Sequence, residues 1–558
     1  MNLAGRHRPT SGYFSGSLSR PSRRRGNVGN SRWILRAGAE GLGRDGFSDE
    51  KLLLGTASQL GSNSSLPDIT NSIIGGMEGS TKSKTQKLQF LSDDDDVMNW
   101  QVCVQEVGQT LRLAFPLVLQ LVSMLGLTLV MTSSVGQLGP TQLSAASLGI
   151  SLYYLSGLAV VVGVTGAMEP LCGQAFGAKN YRMVGVVCQR ALVVAGCVCL
   201  AISLMWTQAE RFLISIGQVP TLASMAAKFI RFMTPVLFLE AIFAVLSKYL
   251  TSQGVVYPML VASVAALSTA PFFCNFFIHQ LGLGLHGGPI ALCGSFTVLI
   301  SVLVTLVAVR EAKFKGKAEQ TFTGWSMEAF SEIGPYLRIA LPLVAVTCLE
   351  WWGYETMLFA AGWLENPHLA IGAMGISNSV VNITYMLPLG LSSATTALIS
   401  NRLGENRPKR AKLVAKMAMV LSIGLLSAVL LGQVAFREVV ARLWTSDSSL
   451  IKLTTAVIPI VALSEVFSGP AHVMFGILHA CKRGSLGMKA SLVSYWAVGI
   501  PLAFLLAFYH GWGVRGFWWG MTAASVVQAF FLFSLLKGFD FSREVVRREK
   551  AAPVAPVG

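Results

Sequence analysis

The chain has 558 residues, 53% of them hydrophobic and 13% charged, with a formal net charge of +16. A soluble globular protein carries roughly 25% charged residues. The shortfall excludes an ordinary soluble domain, and a mean hydropathy of +0.56 points to a multispan membrane protein.

Residues 1–100 are rich in Gly, Ser and Arg and lack periodicity, so they read as a disordered tail. Arg6, Arg8, Arg20, Arg23, Arg24, Arg25, Arg32 and Arg36 all precede the first acidic residue, Glu40. That pattern is similar to an organelle (plastid) transit segment; a plain cytosolic extension is the other reading. Asp93 to Asp96 form a solvated acidic run before the first apolar stretch. From Leu111 onward, stretches long enough to cross a bilayer follow one another, about 20 apolar residues being needed. Six lie near 111–136, 144–166, 185–206, 222–247, 256–279 and 288–310. Six more lie near 337–361, 369–399, 412–436, 450–480, 486–509 and 514–537. The eighth and tenth are long enough to include an extramembrane turn. The runs lack the short alternation of a membrane barrel, so the class is all-α with twelve transmembrane helices.

The sequence also repeats. Glu106-x-Gly108-x-x-Leu111-Arg112-x-Ala114-x-Pro116-Leu117 recurs as Glu332-x-Gly334-x-x-Leu337-Arg338-x-Ala340-x-Pro342-Leu343. Gly149-Ile150-Ser151 recurs as Gly375-Ile376-Ser377, and Gly282, Gly284 and Gly287 reappear as Gly511, Gly513 and Gly516. Gly254 precedes Pro271 by the interval at which Gly484 precedes Pro501. Two homologous six-helix lobes follow, and six helices return the chain to its starting side, so both lobes share one orientation. The expected division is a tail over 1–100, a first lobe over 101–310, a basic linker over 311–336, a second lobe over 337–537 and a C-terminal tail over 538–558.

Basic residues concentrate after the second, fourth, sixth, eighth and tenth stretches and after the last. Examples are Lys179, Lys248, Lys313, Arg402, Lys482 and Arg543. The positive-inside bias places these connections and both termini in the cytosol. The charge thus belongs to short membrane loops and does not call for nucleic acid. The nine cysteines are scattered, without CxxC or metal-ligand spacing. There is no Walker loop, HExxH or nucleophile elbow, so the reading is a non-enzyme with no metal and no cofactor.

An acid inside a membrane helix costs roughly 2.5–3.5 kcal/mol on insertion scales and is a functional candidate by default. Glu350 and Glu355 lie mid-stretch in Leu349-Glu350-Trp351-Trp352-Gly353-Tyr354-Glu355, and Glu465 lies in Leu463-Ser464-Glu465-Val466. No Lys or Arg is within two turns of Glu350 on its own helix, so the sequence leaves it unpaired and able to take and release a proton. Trp351, Trp352 and Tyr354 beside it suit an organic cation or a flat aromatic solute. The plainer alternative is that Glu350 only fixes helix packing. Glu355 is turned well away from Glu350, and its two readings are even. Glu465, His472 and His479 are spaced by seven and share a face: Glu465 and His472 as a proton relay or a structural pair, His479 as a structural group. Asn378, Asn382 and Tyr385 suit a water-lined cavity or interhelix hydrogen bonds. In the first half, Glu240 lies between Arg231 and Lys248 and reads as paired, and Glu169 reads as bracing a turn.

Glu169-Pro170-Leu171-Cys172-Gly173-Gln174-Ala175-Phe176-Gly177-Ala178, Cys348-Leu349-Glu350-Trp351-Trp352 and Ser400-Asn401-Arg402-Leu403-Gly404 resemble the multidrug and toxic compound extrusion (MATE) family, in its plant branch. The resemblance covers about 101 to 537. It implies two lobes around a central cavity and export of organic solutes, whether xenobiotic, secondary metabolite or hormone-like, in exchange for H⁺ or Na⁺. Plant members look proton-coupled, and the glutamate of the Cys-Leu-Glu-Trp-Trp motif, here Glu350, is a coupling residue. Wording around Leu463-Ser464-Glu465 is similar to a plant subgroup linked to hormone-related export. Two positions depart from the pattern: Lys248-Tyr249-Leu250-Thr251 keeps one of two basic residues, and His479 stands where Arg is more usual.

The expected protein is therefore a multi-pass, monomeric proton antiporter working by alternating access. It would sit in a vacuolar, endomembrane or plasma membrane, with small organic substrates, protons and the lipid bilayer as partners. A passive anion pathway and a lipid-precursor flippase are the alternatives.

Overall fold

The computed structural model describes residues 100–445 and 447–551. The expectations on the N-terminal tail, its transit-like arginines and the Asp93–Asp96 run lie outside the described residues. Among the described residues, twelve helices are long and apolar enough to span a bilayer. In the first half they are α1 (Trp100–Gly136), α2 (Pro140–Gly177), α3 (Tyr181–Trp206), α4 (Thr234–Ser252), α5 (Tyr257–Gln280) and α6 (Gly284–Phe314). In the second half they are α7 (Ile333–Trp363), α8 (Pro367–Gly404), α9 (Pro408–Ala435), α10 (Ser448–Ala480), α11 (Gly484–Tyr509) and α12 (Val514–Lys537). A shorter helix, α13 (Phe541–Ala551), follows. In hydrocarbon every backbone group must be satisfied within the segment, which is why apolar runs of this length become helices.

Two expectations change. The eighth and tenth stretches hold no turn. Each is one helix, α8 with Pro388 inside it and α10 with Pro459 and Pro470. The fourth stretch is instead divided, because the helix Pro220–Phe232 ends before α4 begins at Thr234. Proline cannot donate to the turn behind it, but membrane helices tolerate it where neighbouring groups compensate.

The repeat is visible in the backbone. Gly282 and Gly511 have φ of +65° and +68°, and Gly284 and Gly513 both have φ of +54°. Each pair forms the turn into the last helix of its half, after a π-helical segment at Asn275–Gln280 or Leu505–Tyr509. A Cβ on Gly287 would lie 2.8 Å from Phe277 O, and one on Gly516 would lie 2.5 Å from Ala507 N. The glycines stay in step because both copies make the same left-handed turn and the same backbone crossing.

The helices alternate in direction, so α2, α4, α6, α8, α10 and α12 finish at the end where α1 begins. This is the basic end, with Lys179, Arg407 and Lys482 in its turns and Arg182 in the first turn of α3. The halves meet closely there. Arg402 on α8 donates to both oxygens of buried Glu106 on α1, at 2.9 and 3.0 Å, and to Gln109 Oε1 at 2.9 Å. Gln174 on α2 donates to Ala480 O on α10 at 2.9 Å, and Tyr336 on α7 donates to Val164 O on α2 at 2.9 Å. A Cβ on Gly177 would fall 2.1 Å from Asn401 O, so small residues let the two backbones touch.

The segment between the halves lies against the basic end of α3. Gln189 donates to Gly324 O at 2.7 Å and accepts from Ser326 N at 2.8 Å. Arg190, only 5% exposed in its side chain, reaches Glu332 at 3.5 Å. The stretch 311–336 starts within α6, which runs to Phe314, and ends within α7, which starts at Ile333.

Candidate functional site

Glu350 on α7 faces the interior of the second half and is 8% exposed. It is not unpaired. Gln528 on α12 donates its amide Nε2 to Glu350 Oε1 at 2.6 Å, and Ser491 on α11 donates to the same oxygen at 3.0 Å. Gln528 Nε2 also lies 3.1 Å from Ser491 Oγ, and Tyr495 donates to Gln528 Oε1 at 3.5 Å. A carboxylate oxygen only accepts, so the 2.6 Å contact sets the amide with its NH₂ toward Glu350. The other oxygen, Oε2, lies 3.3 Å from His472 Nε2 on α10. Four helices thus converge on one carboxylate. Own-helix spacing hid these partners because they come from α10, α11 and α12.

His472 is held from its other side. Its Nδ1 lies 2.7 Å from Ser468 O, one turn back on α10. A carbonyl oxygen only accepts, so Nδ1 carries a hydrogen and Nε2 is the atom left facing Glu350. The Tyr385 ring meets the imidazole edge-on at 4.8 Å. Ser491 and Gln528 escaped sequence reasoning. The available signal was a lone amide in the apolar run Ser525-Val526-Val527-Gln528-Ala529-Phe530, since interhelix hydrogen bonds are the usual use of such a residue.

The other candidates divide. Trp351 turns to the first half, its ring 6.2 Å from Tyr154 on α2. Trp352 does not join Glu350: it is 42% exposed and donates to Leu155 O at 3.0 Å. Two helical steps of about 100° carry it to the far side of α7. Tyr354 packs inside the second half, 6.2 Å from Tyr495 and 6.3 Å from Trp518. Glu355 is half-buried and Glu465 is 4% exposed; in each, Oε2 is buried without a hydrogen-bond partner among the described residues. Asn378 is half-buried and Asn382 exposed. Two cavities, of about 410 and 340 Å³, lie elsewhere. The larger sits between α8, α9 and the short helix Arg437–Trp444, against Thr384, Gln433 and Leu443.

Two readings in the first half are corrected. Glu240 is paired with neither Arg231 nor Lys248; it accepts a hydrogen bond from the Tyr153 hydroxyl. Arg231 is spent on Thr207 O at 3.0 Å. Lys248 pairs with Glu169, so Glu169 does more than brace its turn. Its Oε2 lies 3.4 Å from His479 Nδ1 on α10, and Ser393 on α8 donates to its Oε1 at 3.4 Å. Glu169 therefore joins the halves at the basic end, and His479 is its partner from the second half.

The MatE family model matches residues 116–276 and 342–505, one block in each half. Three curated relatives are from Arabidopsis thaliana. Protein DETOXIFICATION 16 is 32% identical over 76% of this chain and 87% of its own length. Protein DETOXIFICATION 14 is 30% identical over 81% and 92%, and Protein DETOXIFICATION 51 is 32% identical over 80% and 83%. Among solved structures, the eukaryotic MATE transporter AtDTX14 superposes with a TM-score of 0.76 at 29% identity, over 81% of this chain and all of that one. A mutant of the Vibrio cholerae MATE transporter VcmN has the same fold, with a TM-score of 0.71 at 17% identity over 79% of this chain and 99% of that one.

Proposed function

Because the chain belongs to the MatE family of multi-pass membrane efflux transporters, we propose that it exports small organic solutes by proton antiport, with Glu350 and His472 as the proton-exchanging pair. One observation carries this reading: His472 Nδ1 is committed to Ser468 O, so Nε2 faces Glu350 Oε2 at 3.3 Å. The contact is favourable with one proton between the two atoms. It is then imidazolium on carboxylate, or imidazole on carboxylic acid. With no proton, a nitrogen lone pair faces a carboxylate. With two, an N–H faces an acid already carrying its own hydrogen. The number of protons therefore decides whether α7 and α10 are held together at this point.

The ring of donors favours H⁺ over Na⁺. A hard cation wants several oxygen ligands, whereas Glu350 is met by an amide NH₂, a hydroxyl and an imidazole. In this cycle Glu465, whose Oε2 has no hydrogen-bond partner among the described residues, is the second acid of the second lobe. Glu355 takes a lesser part. Trp351, Tyr385 and His472 line the solute's path, with Asn378 and Asn382 further along α8. The solutes are xenobiotics, secondary metabolites or hormone-like compounds. The basic end faces the cytosol, both termini included, in a vacuolar, endomembrane or plasma membrane, and one chain suffices. Lobes over 101–310 and 337–537 move as the units.

The test uses the full chain in vesicles loaded with a fluorescent organic cation, under an imposed pH or Na⁺ gradient. Efflux should follow the pH gradient and be lost in Glu350→Gln, with the protein still eluting as a folded species. Undiminished pH-driven efflux in Glu350→Gln would remove the mechanism.

A further inference from the structure

Glu240 is an acid within a membrane span that takes no part in the Glu350–His472 pair or in the basic-end junction. It lies in α4 and is half-buried. Its one hydrogen bond to a described residue comes from Tyr153 on α2, to Oε2. The groups that face it are neutral. From α2 they are Tyr153, 3% exposed, and Tyr154, whose hydroxyl is 3.2 Å from Thr128 Oγ1 on α1. From α3 they are the buried Cys199 thiol and Trp206, whose ring is 5.7 Å from that of Tyr153. On α4 itself the nearest charge is Lys248, two turns on and about 12 Å along the axis, and it is paired with Glu169. On α6, Arg310 and Glu311 pair with each other at 3.2 Å near the basic end.

Glu240, Ala244 and Lys248 recur every four residues and share one face of α4. Lys248 on that face meets Glu169 where the halves join. Glu240 therefore points to the same side, two turns from the basic-end junction. Nearby, Tyr154 reaches Trp351 of the second half. A carboxylate at this depth with only a phenol to support it lacks the cation that buried acids ordinarily find.

We propose that Glu240 is a second proton-binding site, carried by the first lobe and capped by Tyr153. A proton taken from water onto Oε1 makes the carboxyl neutral, while Oε2 keeps accepting from Tyr153. Loss of the proton returns a carboxylate whose charge only the Tyr153 hydroxyl offsets. Exchangeable acids thus lie in both halves: Glu350, with three partners, in the second, and Glu240, with one, in the first. This inference rests on the proton-antiport reading only for its place in the cycle, because the titration itself is read without transport.

Infrared difference spectra of the purified full chain, recorded between alkaline and acid pH, report carboxyl groups that gain a proton through their C=O stretch. The expected result is loss of one band in Glu240→Gln and of a different band in Glu350→Gln. Tyr153→Phe, which keeps the acid, should displace the pH midpoint of the Glu240 band. A Glu240→Gln spectrum identical to that of the unmodified chain overturns the proposal. Should Glu240→Gln fail to fold, Tyr153→Phe decides: a displaced band supports the site and an undisplaced spectrum overturns it. Survival of the Glu350 band in Glu350→Gln would remove the earlier reading and leave this one standing.

Discussion

At the scale of single residues, what distinguishes one buried carboxylate from another is how many donors it has and from which helices. A hydrogen bond to a charged group contributes about 1.5–3 kcal/mol, and each 1.4 kcal/mol is a factor of ten. Gln528→Leu removes the 2.6 Å donor to Glu350 Oε1 and leaves Ser491 alone on that oxygen. It should slow pH-driven efflux by about tenfold or more, read as initial rates in vesicles. Ser491→Ala should do less, because Gln528 still occupies the oxygen. Equal rates for Gln528→Leu and the unmodified chain would contradict the four-helix arrangement. Glu350 itself was legible in the sequence, because the cost of an acid in hydrocarbon is a local property of one residue. Its partners were not. Ser491, Gln528 and His472 meet it through the register of four helices, and no spacing within one stretch carries that information. The same limit assigned Glu240 to Arg231 or Lys248, which lie close along the chain but bond Thr207 O and Glu169.

At the scale of elements, the repeat has a stereochemical cause. Gly287 and Gly516 sit where α6 and α12 cross the π-helical ends of α5 and α11. A methyl at either position meets backbone rather than a movable side chain. Gly516→Ala should therefore cost about 1–3 kcal/mol through overpacking, seen as a lower midpoint in thermal unfolding of the detergent-solubilised chain. Gly424→Ala is the control, because a Cβ there meets nothing within 4 Å. Equal losses at both positions would contradict the crossing. The glycine spacing was readable from sequence because a left-handed turn and a close crossing admit almost no other residue. The helix boundaries were less so. Apolar length did not reveal that α8 and α10 run unbroken through their prolines, nor that the chain breaks before Thr234.

At the scale of the whole molecule, two charged clusters join the halves at the basic end: Glu106 with Arg402, and Glu169 with Lys248 and His479. Breaking a buried pair by removing one partner costs about 3–5 kcal/mol, since the other charge stays behind. Glu106→Ala should therefore shift the population away from the closed basic end. Longer distances between probes on the two halves would report the shift, and an unchanged distribution would show that the pair does not hold the ends together. Under the proposed proton antiport by alternating access, proton binding deep in the second half would have to be felt at this distant end.

The most direct test measures that link. Probes attached at Ala178 and Lys412, both exposed at the basic end and on opposite halves, report the separation of the lobes by pulsed electron spin resonance. The account predicts a distance distribution that changes with pH in the unmodified chain and is fixed in Glu350→Gln. A pH response that survives Glu350→Gln would mean that the proton governing the lobes does not bind Glu350, and would contradict the account.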